Sequence, residues 1–502
     1  MKRTEKILRS AAAVLCALLL SMTACAQEEI VVNPSCEALT RTELRVLVEK
    51  TAEAFRLNQD LREELESEIR LLYEEVPTEN DATGKREFYT LTHAGKTMRF
   101  FMEILGEPDA DGLYPLYITL HGGGGGSAEM NNGEWIGMFD YYRESVENGI
   151  YIACRGITDT WDLHFQEDSY VLYDRLIESM TVLYGADPDR VYLLGFSAGG
   201  DGVYQIAPRL ADRFAAVSMS SGHPNGVSLA NLANCPICLQ AGIRDYYSGD
   251  AMRSVRAAEF EKTLSGYHER YGFGYEHRVW IHVPEGHYYN DYSDSESPVL
   301  KDPAAFAEGA DAPDAADVFL NVFESFWGER NIGWLSYYYA EDEFDPFNRE
   351  ITEAVTETLG LETVRVNTNA VRYVSQFTRD AAPDRLVWDL STRAGKRESD
   401  SFYWLEAGPE VTRGIITAEF DTASNTVTVE PDADVNGDFA ILFHPSLVDV
   451  SRPVTIKTGG ITVAVRVNPS PEFLVTSMLQ KGDPGLACIG KIMYSTVVSS
   501  AR

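Results

Sequence analysis

The chain has 502 residues, 44% of them hydrophobic, which is enough for more than one packed core. Acidic side chains outnumber basic ones 77 to 43, for a formal net charge of -34. Such a surface repels polyanions, which excludes nucleic acid as a partner and adsorption to anionic lipid, and suits an enzyme acting on a neutral or cationic substrate.

The first 24 residues read as an export signal rather than as part of the fold. Lys2, Arg3, Lys6 and Arg9 precede the short apolar run "AAAVLCALLL" and then "SMTAC". The run is too short to be a comfortable membrane span. Thr23 and Ala24 before Cys25 resemble a bacterial lipoprotein cleavage site, with Cys25 as the lipidated residue; ordinary signal cleavage nearby is the alternative. A membrane partner is expected only through that anchor. Residues 25–39 read as a tether. The later cysteines, Cys36, Cys154, Cys235, Cys238 and Cys488, are too few and too odd in number for a disulfide framework. "CPIC" at 235–238 has redox spacing, but it lies in an apolar run that reads as a buried strand, where a thiolate is not favoured.

Residues 40–84 read as a helical lead-in. Thr40 and Glu43 have the spacing of a capping box, and Leu44, Val48, Phe55, Leu61, Leu65, Ile69 and Leu72 recur at helical intervals. From 85 to 328 short apolar strands alternate with helical segments, which predicts a mostly parallel, doubly wound α/β sheet covered on both faces. The segments in order are a hairpin in "REFYTLTHAGKTMRFFMEIL", strands "LYPLYITL" and "GIYIAC", the helix "DSYVLYDRLIESMTVLYG", the strand "DRVYLLGFS", the helix "GGDGVYQIAPRLADRF", and strands "FAAVSMS", "CPICLQAG" and "HRVWIHV". Residues 329–382 read as a connector, although "AVRYVSQF" inside it has strand composition. Residues 383–502 read as a separate β-rich accessory domain, with "RLVWDLS", "SFYWLEAG", "GIITAEFD", "TVTVEP", "FAILFHP" and "VTIKTGGITVAVRV" as strands.

"LLGFSAGGDG" (193–202) places Ser197 between a strand and a helix, with Gly195 and Gly199 on either side. Glycine and serine are common, so the pentapeptide alone carries little weight. Its context is what matters: a nucleophile elbow needs tiny neighbours, and the helix that follows aims its N-terminus at the reacting centre. The N–H of Ala198 is then placed for a developing oxyanion. A second donor is expected from "HGGGGG" (121–126), which follows a buried strand; Gly123 is the first choice, with Gly122 and Gly124 next. Beyond an elbow of this kind the acid comes next in the chain, then the histidine. Asp245 follows the end of "CPICLQAG", with Asp250 as its rival. His287 follows "HRVWIHVPEG", whereas His282 lies inside that strand and reads as a packed histidine. The roles follow: Ser197 as nucleophile, His287 as base, Asp245 as orienting acid.

With these parts in order, residues 85–328 resemble an α/β-hydrolase, closest to the polyhydroxybutyrate depolymerase-like and feruloyl or acetylxylan esterase group, and are similar to prolyl-oligopeptidase-type catalytic domains. "YPLYITLHGGGG" and "YGADPDRVYLLGFSAGGDGVYQIAPRLADRFAAVSMSSG" carry most of the resemblance. Residues 383–495 resemble a β-domain appended to secreted bacterial hydrolases. The resemblance implies a serine esterase that uses no metal or organic cofactor, acting on a small-molecule or glycan ester. A peptidase with the same triad and a non-catalytic binding protein on this fold are the alternatives. Trp161, Tyr246 and Tyr288 are candidate substrate-binding aromatics, together with Trp135, Tyr247 and Tyr289 in the same predicted loops; packing is the competing role for each. Arg155 and Asp162 are placed at the mouth. Polysaccharide binding is one role open to the β-domain.

Overall fold

The computed structural model describes residues 30–79, 84–245, 253–283, 285–308, 356–357, 360–393 and 400–500. Among these, eleven strands form one twisted sheet. From one edge they run Ile69–Glu75, Lys85–His93, Lys96–Leu105, Gly149–Cys154, Tyr114–Leu120, Ala186–Phe196, Ala216–Ser220, Ile237–Gly242, His277–His282, Glu296–Leu300 and Thr363–Asn367. The six from Gly149–Cys154 to His277–His282 are mutually parallel, and antiparallel strands flank them on both sides. This is the predicted α/β class. Both faces are apolar, as the near-continuous hydrophobic runs require. Along Ala186–Phe196, Leu193 points into a core with helix Ser169–Tyr184 and helix Ala198–Ile206, whereas Leu194 points into a second core with helix Ala128–Tyr141.

The lead-in differs from expectation. The capping box at Thr40 and Glu43 starts helix Arg41–Arg56, and helix Gln59–Glu68 follows. Ile69 and Leu72 do not continue it. They lie in strand Ile69–Glu75, paired antiparallel with Lys85–His93 at the sheet edge. Ladder bonds with a ready partner outweigh a weak helical period in a short segment. The tether also contains structure: Ile30–Val32 pairs in parallel with Ile461–Val467 of the C-terminal domain.

The expected connector belongs to the main-sheet domain at its described end. Thr363–Asn367 is the last strand of the main sheet. Residues 370–377, expected as a strand, instead begin with helix Ala370–Val374, capped by Asn369 and packed beneath the sheet beside Tyr117, Tyr192 and Cys238. "SFYWLEAG" is a tight hairpin, Ser401–Phe402 and Leu405–Ala407, rather than one strand. The C-terminal domain contains a six-stranded sheet that includes Ile30–Val32 and a four-stranded sheet. Trp388 and Trp404 are buried in it and form no exposed stacking platform.

The C-terminal domain sits under the N-terminal ends of the parallel strands. Asn231 and Asn234, just before strand Ile237–Gly242, bond Thr392 and the backbone of Asp389 and Arg385. Arg385 in turn donates to the Tyr271 carbonyl before strand His277–His282. The opposite, C-terminal ends of the strands are left for the site, the usual position in open α/β sheets.

Candidate active site

Strand Ala186–Phe196 delivers Ser197 at φ 57°, ψ -119°, and helix Ala198–Ile206 begins at the next residue. A non-glycine residue at positive φ costs on the order of 1–3 kcal/mol, so the surroundings must impose it. They do. A methyl on Gly195 would lie 2.2 Å from the Gly199 carbonyl oxygen, and one on Gly199 would lie 2.0 Å from the Leu120 carbonyl oxygen. The Ser197 N–H donates to the Ser220 carbonyl at 2.9 Å, tying the turn to the neighbouring strand.

The expected acid and base converge on this serine. His287 Nε2 lies 2.9 Å from Ser197 Oγ, and His287 Nδ1 lies 3.0 Å from both Asp245 carboxylate oxygens. Asp245 is fully buried. Burial alone pushes its pKa up, but the facing His287, the Arg253 guanidinium at 3.7 Å and a Ser221 hydrogen bond outweigh it, and the net direction is down. The carboxylate is therefore held ionised where it can orient an imidazole. Asp250 lies outside the described residues.

The loop carrying His287 packs on the Asp245 turn so closely that a methyl on Gly242 would meet the Gly286 carbonyl oxygen at 1.9 Å. Ser221 Oγ donates to the His287 carbonyl at 2.9 Å. Farther along, buried Asp291 accepts hydroxyls from Tyr141 at 2.8 Å, from Tyr142 at 2.9 Å and from Ser220. Burial raises the Asp291 pKa despite these bonds. Gly242, Ser221 and Asp291 thus fix the histidine loop, and none was identified from the sequence. A glycine closing a predicted strand just before the acid was the one available signal.

The glycine loop passes over the nucleophile. A methyl on Gly122 would touch Ser197 Cβ at 3.3 Å. Gly123, Gly124 and Gly125 take φ of 91°, 83° and 64°, backbone that only glycine adopts readily. Asn131 braces it: its Oδ1 accepts the Gly124 N–H at 2.8 Å, and its Nδ2 donates to Asp159 at 3.0 Å. That bond commits the Gly124 N–H, so of the expected second donors Gly123 and Gly122 remain. His121 closes the loop from below. The Gly156 N–H donates to its Nε2 at 3.1 Å, so its Nδ1 carries the proton and donates to the Gly122 carbonyl at 2.6 Å. Burial first, then His164, pushes the His121 pKa well down, which keeps it neutral.

The expected aromatics divide. Trp161 and Tyr288 are 56% and 48% exposed. Tyr288 stacks on Phe196, next to the serine, at 5.4 Å. Trp135 is not at the mouth: it is buried in helix Ala128–Tyr141, stacked on Phe101 and donating to the Ala153 carbonyl at 2.9 Å. Tyr289 is buried against His282. Arg155 is buried too, bonded to Asn132, Asp159 and two carbonyls, so it braces the loop rather than lining the mouth. Tyr246, Tyr247 and Cys25 lie outside the described residues. His282 is packed as expected, bonded to Gln240 at 2.9 Å, with burial pushing its pKa down to about 3. Cys235 and Cys238 are buried free thiols in or beside a strand. Among the described residues no group of three His, Cys, Asp or Glu side chains is placed to hold a metal ion.

No protein-family model matches the chain. Over 114 residues it is 32% identical to a bifunctional acetylxylan esterase/xylanase of Neocallimastix patriciarum, a match covering 22% of this chain and 16% of that protein. Over 138 residues it is 32% identical to a protein of Aspergillus terreus named a probable feruloyl esterase C, covering 26% of this chain and 50% of that one. The matches span half or less of the length of these relatives. Among solved structures, a thermostable esterase overlaps 40% of this chain and 58% of its own at 15% identity, with a TM-score of 0.28. An acetyl xylan esterase from Aspergillus awamori overlaps 41% and 81% at 12% identity, with a TM-score of 0.26.

Proposed function

We propose that this chain, built on the α/β-hydrolase fold, hydrolyses carboxylic esters through an acyl-enzyme on Ser197. The observation that carries the reading is the unbroken line from Asp245 through His287 to the Ser197 hydroxyl. His287 Nε2 takes the Ser197 proton as Oγ attacks the carbonyl carbon. The N–H groups of Ala198 and Gly123, with Gly122 adjacent, receive the negative charge that develops on the carbonyl oxygen. Asp245 holds the Nδ1 proton and stabilises the imidazolium. His287 then returns its proton to the departing alcohol, and water reverses the sequence to release the acid.

Similarity to proteins named esterases supports an ester over a peptide bond. Acyl groups on polysaccharide and small aryl or acyl esters are the proposed substrates, without a cofactor. The N-terminal pattern ending at Cys25 supports a place outside the cytoplasm, held by a lipid on that cysteine. Short p-nitrophenyl esters against chromogenic peptides test the bond type. A serine-directed fluorophosphonate tests the nucleophile: the wild-type chain should be labelled, and Ser197→Ala should lose both labelling and at least about 10³-fold of ester turnover. Equal labelling or turnover in Ser197→Ala would remove Ser197 as the nucleophile, and a wild-type chain with neither would sink the enzyme reading.

A further inference from the structure

One charged group at the cleft has no task in this mechanism. Glu134 projects from the exposed side of helix Ala128–Tyr141, while Asn131, Asn132 and Trp135 face inward. A methyl on Gly122 would touch both Glu134 Oε2, at 3.2 Å, and Ser197 Cβ, at 3.3 Å. A methyl on Gly123 would touch Glu134 Cγ at 3.3 Å. Carboxylate oxygen and nucleophile Cβ thus border one point beside the glycine loop assigned to the oxyanion. Among the described residues no donor or cation is bonded to this carboxylate. It is open to the cleft, yet the surrounding protein excludes enough water to push its pKa up, against the pull of His287.

For the chemistry alone, this is a poor place for a bare carboxylate, because it opposes the negative charge forming on the substrate oxygen. The placement makes sense when the substrate brings a hydrogen-bond donor. We propose that Glu134 is a specificity-determining residue that accepts a hydroxyl on the carbon next to the ester oxygen, on the alcohol side of the substrate. The site then prefers monoesters of adjacent diols over esters of simple alcohols.

The alcohol side follows from the proposed substrates: an ester on a polysaccharide carries its free hydroxyls there, and His287 delivers its proton to that same side. A hydroxyl fits better than an ammonium, because a second positive charge beside His287 would oppose formation of its imidazolium. An anionic group is repelled outright. Exposed Tyr288 supplies an apolar face on which the carbon side of a polyol can rest.

This inference rests on the ester-hydrolase reading. Its test compares 2-hydroxyethyl butyrate with propyl butyrate on the full chain, in wild type, Glu134→Gln and Glu134→Ala. A hydrogen bond to a charged acceptor gives wild type about a tenfold higher kcat/KM on the hydroxylated ester. Both variants should bring that ratio close to one. Each ratio is internal to one preparation, so a smaller folded fraction cancels. A preference that survives in both variants overturns the assignment. Labelling of Ser197 by the fluorophosphonate without preference between the two esters overturns the role of Glu134 alone. Absence of both labelling and turnover removes the ester reading with it.

Discussion

Asn131 does for the glycine loop what Ser221 does for the histidine loop: one short polar side chain holds a backbone segment in the position the chemistry needs. Asn131 bonds Gly124 and Asp159 rather than Ser197 or His287, so its removal should act on geometry alone. Asn131→Ala is expected to lower kcat/KM by about 10- to 100-fold, the effect of a shift of roughly 1 Å at an oxyanion donor. Circular dichroism and labelling of Ser197 should show a folded chain that still reacts. An Asn131→Ala enzyme with wild-type turnover would remove the residue from the positioning role. Ser197, Asp245, His287 and the glycine run were legible in the sequence because their residue types and order follow from the chemistry. Asn131, Ser221 and Asp291 were not. Their value depends on which distant backbone passes each side chain, and a single sequence carries no signal for that.

At the level of elements, the strands of the parallel sheet were legible because each is a short apolar run closed by glycine or a polar turn. The misread segments were those whose partner lies far along the chain. Ile69 and Leu72 have a helical period, yet the hairpin starting at Lys85 offers Ile69–Glu75 a complete ladder. "AVRYVSQF" has strand composition, yet Asn369 caps it as a helix under the sheet. That helix and helix Ala128–Tyr141 together cover one side of the sheet. Val371, Tyr373 and Val374 are buried beside Tyr117, Tyr192 and Cys238, and their burial contributes roughly 5 kcal/mol. A chain ended after residue 328 should therefore expose an apolar sheet face and be recovered in the insoluble fraction. Recovery of a soluble, active product would show that the catalytic domain ends where the sequence first suggested.

Across the whole molecule, buried charge joins the two domains. Arg213 meets Asp174 at 2.9 Å and Asp483 at 3.2 Å, and Arg379 meets Asp483 at 2.8 Å and Asp189 at 2.7 Å. Buried neutral histidines are spread over both domains. Burial holds His164 and His282 down to about 3 and His444 down to about 4, and holds His121 well below its usual value. The unfolded chain protonates these rings below about pH 6.5, while the folded chain does not until far lower pH. Their contribution to stability is therefore complete above that pH and is lost as pH falls, at about 1.4 kcal/mol per ring between pH 7.5 and 5.5. Urea unfolding at pH 7.5 and 5.5 should show this loss, and His444→Gln should make it shallower; equal stability at both values would refute it. The pairing of Ile30–Val32 with the far domain has a consequence for orientation. Only four residues separate Cys25 from Ile30, a reach of less than about 20 Å even when fully extended. A lipid at Cys25 would therefore moor the molecule by its β-domain, at the end of the sheet away from Ser197. The cleft would open outward from the bilayer, toward polymer in the surrounding medium rather than toward the lipids beneath.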